Sequence, residues 1–198
     1  MTEPYTISPL GYVRRKQGQT YLEILDDYVP AIKLIELFSH IQVLWWCSAF
    51  EADDFRQILQ ADPPYEAPTL GIFATRSPVR PNPVGLTTVK LIAVDHETGW
   101  LEIDGIDAFE DTPIVDIKAH FPAEDRVRDV RLPNWLQNTP EWLTLDAEET
   151  AGERSAQIPS NAQFQLTPLG QVQRPDSRTF LQIDEDFWPA LENLEQFS

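Results

Sequence analysis

Two stretches of this chain lie 159 residues apart and are versions of one another, and that duplication limits what the chain can fold into more than any other feature. SPLGYVRR at 8–15 faces TPLGQVQR at 167–174, and TYLEILDDYVPAIKLIELFS at 20–39 faces TFLQIDEDFWPALENLEQFS at 179–198. No gap is needed, and 14 of the 32 positions from Ser8 to Ser39 are identical. Most other positions are conservative, such as Tyr21 with Phe180 and Tyr28 with Phe187. A repeat at fixed spacing marks a reused supersecondary unit. The second copy reaches Ser198, matched to Ser39, just short of the His40–Val43 segment. One domain and the opening of a second are therefore expected: a first domain over 1–138, a linker over 139–165, and a partial repeat over 166–198 matching 7–39. The linker assignment rests on Glu, Thr, Ala, Gly, Ser, Pro and Asn with little periodicity after Leu145.

Each copy reads as two short strands and a helix. Ile7–Val13 and Thr20–Ile24 have strand composition around a polar turn at Lys16-Gln17-Gly18-Gln19. Pro30 suits the first turn of a helix that would turn Ile32, Ile35 and Phe38 to a core. Beyond the first copy, Ile41–Trp46 predicts a buried strand, and Glu51–Gln60 a short helix with Phe55, Ile58 and Leu59 on one side. Asp62-Pro63-Pro64 ends that helix. Further strands are predicted at Leu70–Ala74, Leu86–Val94, Trp100–Ile106 and Ile114–Ile117. Several short strands with few helices predict a mainly β domain, a barrel or a sandwich. The chain has neither a Gly-x-Gly-x-x-Gly nor a Walker loop, which disfavours a doubly wound nucleotide-binding fold.

Charge narrows the partners. Fifteen Lys and Arg face 32 Asp and Glu, a net charge of −17. Residues 141–198 alone hold 11 acids and 3 bases. Nucleic-acid affinity draws on Lys and Arg neutralising phosphates, so a broad basic face is not expected. Arg126, Arg128 and Arg131 alternate with Asp125 and Asp129 and read as a solvated, self-paired face. No apolar run approaches a membrane span, and MTEPYT has no signal-peptide pattern, so a cytoplasmic protein is expected. Cys47 stands alone, which excludes an intramolecular disulfide and any multi-cysteine zinc site, and no metal is expected.

The stretch Gly71–Leu86, GIFATRSPVRPNPVGL, is the expected functional centre. Pro78, Pro81 and Pro83 lock the backbone of a loop between two strands. Arg76 and Arg80 supply planar, permanently charged forks suited to a carboxylate or phosphate, and Ser77 and Asn82 add neutral hydrogen-bonding groups. Gly85 permits a close approach. By residue type, a preorganised recognition loop and a proline-stiffened connection whose arginines pair with surrounding acids are equally supported.

GIFATRSPVRPNPVGL, with FSHIQVLWW at 38–46 and DTPIVDIKAH at 111–120, resembles the TsaA-like family, whose best-studied members are the tRNA methyltransferases called O. The match spans roughly Ile7 to Pro122. It implies a small β-barrel with a few peripheral helices that forms a homodimer and binds S-adenosylmethionine near the dimer interface. Catalytic members methylate N6 of a threonylcarbamoyl-adenosine beside the anticodon. By the same resemblance, Phe73, Ala74, Thr75, Arg76, Ser77, Arg80, Pro81, Asn82, Gly85 and Leu86 fall in the loop that shapes the pocket. Asp104 and Asp107 lie in the following strand and turn. Thr112, Pro113, Ile114, Asp116, Ile117 and Lys118 match the family's TPVLDIK run, and His40 its FSHI histidine.

Methyl transfer from a sulfonium is an in-line displacement that needs donor and acceptor held in line, with no nucleophilic side chain or metal. Arg76 or Arg80 is expected to hold the donor's carboxylate. Asp116 and Lys118 are expected to orient polar groups near the transfer point, and His40 is the weaker candidate. The chain departs from the family at three places. ArgArgLysGlnGlyGln stands where longer members carry a Pro-Arg-Gln segment, and Asp116-Ile117-Lys118-Ala119-His120 stands where many continue DIKPY. The partial repeat occupies the place of the bacterial enzymes' C-terminal domain with its Asp-x-Arg-Pro-x-Tyr motif. These departures and the acidic charge bear on the RNA acceptor more than on the donor. The expected function is an S-adenosylmethionine-dependent tRNA methyltransferase. The alternative is a donor-binding or assembly module without transferase activity.

Overall fold

The computed structural model describes residues 3–136, 161–175 and 178–191. Positions 139–160 of the expected linker, and 176–177 and 192–198 of the expected repeat, lie outside the described residues. Twelve strands follow in chain order among the described residues: β1 (Tyr5–Ile7), β2 (Gly11–Lys16), β3 (Gln19–Ile24), β4 (His40–Trp46), β5 (Gln60–Ala61), β6 (Leu70–Gly71), β7 (Val84–Asp95), β8 (Trp100–Ile103), β9 (Pro113–Ala119), β10 (Phe164–Leu166), β11 (Gly170–Gln173) and β12 (Phe180–Ile183). Two one-turn α-helices, α1 (Asp53–Arg56) and α2 (Pro122–Asp125), lie between them.

Six strands close into an antiparallel barrel in the order β2-β3-β8-β7-β4-β9. Closure removes the sheet edges that an open sheet of this size would expose. Alternation decides which side chains fill it. Ile41 and Val43 of β4, Val89 and Leu91 of β7, Val13, Leu22, Leu101, Ile103 and Ile114 form the interior cluster. The intervening Gln42 and Leu44, and Leu86, Thr88 and Lys90, face outward. Gln17 and Gly18 both take positive φ (54° and 79°), the twist a two-residue hairpin turn needs to join β2 to β3.

Of the two all-β solutions, the barrel is the one formed, and the strands expected over 20–24, 41–46 and 86–94 are present. Elsewhere the elements differ for local reasons. The strand expected over Ile7–Val13 is two strands, because the chain breaks at Ser8 and Pro9; β1 leaves the barrel to pair with β10, and β2 stays in it. The expected helix at Pro30 is a 3-10 turn over Asp26–Ile32 that begins four residues earlier; Ile32 is buried, while Ile35 and Phe38 are half-buried.

The expected helix over Glu51–Gln60 shrinks to α1, and Phe55 and Ile58 are 39% and 40% exposed. Tertiary bonds take the backbone groups a longer helix would use. The Leu59 carbonyl accepts from Ile72 N–H at 2.8 Å, and Gln60–Ala61 pairs with Leu70–Gly71. The strand expected over Leu70–Ala74 ends at Gly71 and continues as a 3-10 turn over Ile72–Ala74. Its last carbonyls are drawn inward, since Ile72 O accepts both the Thr75 N–H (3.1 Å) and the Thr75 hydroxyl (2.9 Å).

Trp45 and Gly85 face each other across β4 and β7, and Trp45 Nε1 donates to Thr87 Oγ1 at 3.1 Å. The indole lies flat over Gly85, so a methyl there would overlap the ring. The bond to Thr87 and the surrounding core oppose any swing of the indole. Gly85→Ala is expected to lower unfolding stability by about 1–3 kcal/mol, the usual cost of overpacking. Urea denaturation of the two proteins measures it, and an unchanged midpoint would contradict this packing.

Candidate functional site

The loop between the Ile72–Ala74 turn and β7 is held by its own short polar side chains. Thr75 Oγ1 accepts from Ser77 N–H at 3.2 Å, and Ser77 Oγ accepts from Val79 N–H at 3.2 Å. Such side-chain turns replace a sheet ladder where prolines forbid one. The proline carbonyls are used instead: Cys47 N–H donates to Pro83 O at 2.7 Å, and Arg56 Nε donates to Pro81 O at 2.8 Å. Pro81 and Pro83 are buried. The loop is therefore a fixed platform on the outer wall of the barrel.

Its two arginines differ. Arg76 is exposed and its guanidinium donates to the Leu86 carbonyl. Arg80 is half-buried, with Nη1 3.5 Å from the Thr75 carbonyl. Burial lowers the pKa of Arg80, and the neighbouring Arg76 cation lowers it further. Arginine stays charged nonetheless. Beside Arg80 lies the buried thiol of Cys47, with Asp107 close enough to influence it. Arg76, Arg80 and Asp107 thus share a neighbourhood, two cations against one anion, in a chain whose net charge is −17.

Leu86, Leu44 and Asp116 sit side by side on β7, β4 and β9 and face outward. A bulge makes this possible: Leu44 pairs with Asp116 but Trp45 pairs with Ile114, leaving Val115 as the extra residue. Without that slip Asp116 would not face outward beside Leu86 while Ile114 filled the core. Asp116 is well held, since Oδ1 accepts the Ile117 N–H at 2.9 Å and Oδ2 lies 2.7 Å from Lys118 Nζ. The hydrogen bond and charge of Asp116 raise the pKa of Lys118.

The structure brings Arg76, Ser77, Arg80, Asn82, Leu86, Asp107, Asp116 and Lys118 to this side of the barrel, with Phe73, Ala74 and Thr75 half-buried behind the loop. Others of the expected set lie elsewhere. His40 is at the far end of β4, about 13 Å from Leu44 along the strand, and its Nδ1 meets Ser39 Oγ at 2.9 Å. Asp104 is tied to Lys90 by Lys90 N–H to Oδ1 at 2.8 Å. Thr112 and Pro113 are buried in the wall beside β2, where Thr112 O accepts from Val13 N–H at 2.9 Å, and Ile114 is a core residue.

Reading by residue type missed the other side of the loop. Asn82 Nδ2 donates to the Thr167 carbonyl and Asn82 Oδ1 accepts the Thr167 N–H, both at 2.8 Å. Arg56 reaches the Gln165 carbonyl at 2.7 Å and Thr167 Oγ1 at 3.3 Å. Trp46 faces outward yet is fully buried, because the Phe164 ring stacks on it at 4.8 Å and 20° and the Arg56 guanidinium lies 5.9 Å from its centre. A cleft of about 320 Å³ runs along this seam, lined by Pro4, Asp53, Arg56, Gln57, Pro81, Gln165, Thr167 and Phe187. The matching SPLG and TPLG were the available signal, for they mark 167 as a position with a structural counterpart at 8.

Comparison with known proteins agrees with the barrel fold. Residues 9–126 match the family model described as the tRNA-methyltransferase O N-terminal domain. An S-adenosyl-L-methionine-binding protein of Archaeoglobus fulgidus is 37% identical over 106 residues, covering 54% of this chain and 72% of that protein. A tRNA (adenine(37)-N6)-methyltransferase of Escherichia coli is 27% identical over 132 residues, covering 66% of this chain and 56% of that enzyme. A crystal structure of TrmO superposes with a TM-score of 0.50 at 32% identity, covering 67% of this chain and 64% of that one.

The surroundings of Cys47 make it a test of how dry the base of the loop is. Burial pushes its pKa from an ordinary 9.0 up to about 12; Arg80 opposes the shift and Asp107 adds to it. At pH 8 it is a neutral thiol, so an aromatic disulfide reagent should label the native protein at least about 100-fold more slowly than the unfolded chain. Because the folded pKa is raised, the thiol's contribution to stability is complete below about pH 9 and is lost as pH rises towards about 12. The denaturation midpoint should fall over that window in the parent protein and fall less in Cys47→Ala.

Proposed function

Because the chain belongs to the tRNA-methyltransferase O N-terminal domain family, we propose that it is an S-adenosylmethionine-dependent methyltransferase. Its acceptor in this reading is N6 of a threonylcarbamoyl-adenosine beside the anticodon of tRNA. The observation that carries the proposal is the pairing of Arg76 and Arg80 on a fixed loop beside the outward Leu86–Leu44–Asp116 row. That donor set suits a molecule with a carboxylate, a cationic sulfur and an apolar, aromatic end. Guanidinium forks take the carboxylate, exposed apolar surface at Leu86 takes the ring or thioether side, and Asp107 and Asp116 offset positive charge.

When bound, S-adenosylmethionine supplies an electrophilic methyl group on a sulfonium. The protein's part is positional. The forks of Arg76 and Arg80 anchor one end, and the proline-locked backbone keeps them from following the ligand as it moves. Asp116, already held by Ile117 N–H and Lys118, keeps its orientation towards the acceptor's N–H without reorganising during transfer. Arg76 and Arg80 would hold the donor's carboxylate and Asp116 would stand beside the acceptor nitrogen, to which the methyl group would be supplied as that nitrogen gives up its proton.

The net charge of −17 supports a second reading, a donor-binding module without transferase activity, because phosphate contacts normally dominate tRNA affinity. Two measurements separate them. Calorimetry should show S-adenosylmethionine binding to the parent protein at sub-millimolar concentration. Binding to Arg76→Ala or Arg80→Ala should be weaker by about 10–100-fold, as expected for loss of a charged hydrogen bond. Labelled methyl should pass from the donor to bulk tRNA at low salt, and the same substitutions should reduce it in parallel. Binding without transfer selects the module, and no binding excludes both readings.

A further inference from the structure

The 159-residue offset persists in the contacts between the two copies. β1 and β10 occupy equivalent positions at that offset and pair with each other, antiparallel, as Tyr5–Leu166, Thr6–Gln165 and Ile7–Phe164. The central pair joins two residues that are themselves equivalent, and Gln165 Nε2 donates to Thr6 Oγ1 at 2.9 Å. The outer pairs exchange roles. A strand that meets its own counterpart at the centre of an antiparallel pair is what a two-fold axis creates between identical subunits.

The surroundings repeat as well. Leu25 N–H donates to Leu10 O at 3.0 Å and Asp184 N–H to Leu169 O at 2.9 Å; Tyr28 N–H donates to Leu25 O at 2.8 Å and Phe187 N–H to Asp184 O at 2.9 Å. The hairpins share one register, with Gly11 opposite Ile24 and Gly170 opposite Ile183. Their burial is opposite. Val13 and Leu22 are fully buried in the barrel, whereas their counterparts Val172 and Leu181 are 59% and 73% exposed. The second copy is therefore held by its outer surface: Phe164 on Trp46, Thr167 on Asn82, and the fully buried Ala190 in the 3-10 turn that lies against Ile72–Ala74.

We propose that the described residues of the second copy, 161–175 and 178–191, are an intramolecular stand-in for a second subunit and complete the loop site within one chain. Thr167 and Phe187 fill the places that Ser8 and Tyr28 of a second copy would take across the local two-fold. Asn82, in the middle of the RPNP turn, is positioned by this segment. β1, the strand through which two copies would pair under that axis, is already occupied. The inference rests on the donor-site reading for what the completed site binds.

A cysteine pair at the centre of the axis tests it in the full-length chain. Thr6→Cys with Gln165→Cys places two thiols on directly opposed residues of an antiparallel pair. On oxidation the bond should form within one chain, and the product should keep the mass of a single copy, 22.7 kDa, by non-reducing electrophoresis and light scattering. The locked protein should bind S-adenosylmethionine as the parent does. Phe164→Asp, checked for a retained barrel by circular dichroism, should bind about tenfold or more weakly and become prone to form two-copy species; Phe164→Ala is the milder variant if the barrel is lost. A disulfide that links two chains overturns the proposal, as does parental affinity in a folded Phe164 variant. If the parent binds no S-adenosylmethionine, the donor reading falls, while the cross-link and mass still decide whether the segment acts within one chain.

Discussion

Strand β4 is hydrogen-bonded along both edges, to β7 on one side and β9 on the other, and the rest of the molecule depends on that. Because it has no free edge, its residues cannot slip by one position without turning the whole face inside out. Ile41 and Val43 are thereby committed to the core, and Leu44 and Trp46 to the outside. Leu44 places Leu86 and Asp116 beside it, and Trp46 offers the flat surface on which Phe164 stacks. Cys47, the next residue, receives the loop through Pro83 O. Site and seam are two ends of one outward row.

Electrostatics at that row run against those of the chain. Two guanidinium groups are held near each other although like charges close together repel, and burial makes Arg80 costlier still. A fold tolerates this where backbone carbonyls take the N–H groups, as Leu86 O does for Arg76 and Thr75 O for Arg80. Arg14 in the barrel meets the carboxylates of Glu23 and Asp111, whereas the Arg15 guanidinium meets the carbonyls of Ile106 and Ala108. Arg76 and Arg80 meet carbonyls, which satisfies geometry but leaves positive charge for an anion.

The barrel was legible because alternation within Ile41–Trp46 and Leu86–Val94 is a local property with few solutions. The short helix over Glu51–Gln60 was misread because its apolar spacing is real but its backbone is claimed from a distance, by Ile72 N–H and by β6. GIFATRSPVRPNPVGL stands out in the sequence because three prolines and two arginines share one turn, and the structure shows it as a loop held by its own side chains and its proline carbonyls. That His40 lies at the far end of β4 and that Thr112–Ile114 are buried in the wall was not legible, because matching a motif says nothing of which face a strand residue takes. The bulge at Val115, which turns Asp116 outward, leaves no mark in composition. Nor does Arg56, whose role arises only when Pro81 and Gln165 come within its reach.

The second copy explains why so polar a seam suffices. About thirty residues cannot bury enough apolar surface to stand alone, and this segment does not try, for its barrel-facing residues stay in water. What holds it is the β1–β10 pairing, one aromatic stack, the buried Ala190 and a set of bonds made to the RPNP turn and to Arg56. Those bonds are shared property: the amide that grips Thr167 belongs to the turn that carries Arg80. If the loop binds the donor as proposed, docking of the segment and that binding draw on the same few groups, and linkage makes their effects reciprocal. Under the same proposal a ligand that grips the RPNP turn tightens the segment, and a docked segment holds Asn82 in place for the ligand. A partner subunit could supply the same help only in proportion to its concentration, whereas a segment joined to the chain is always at hand.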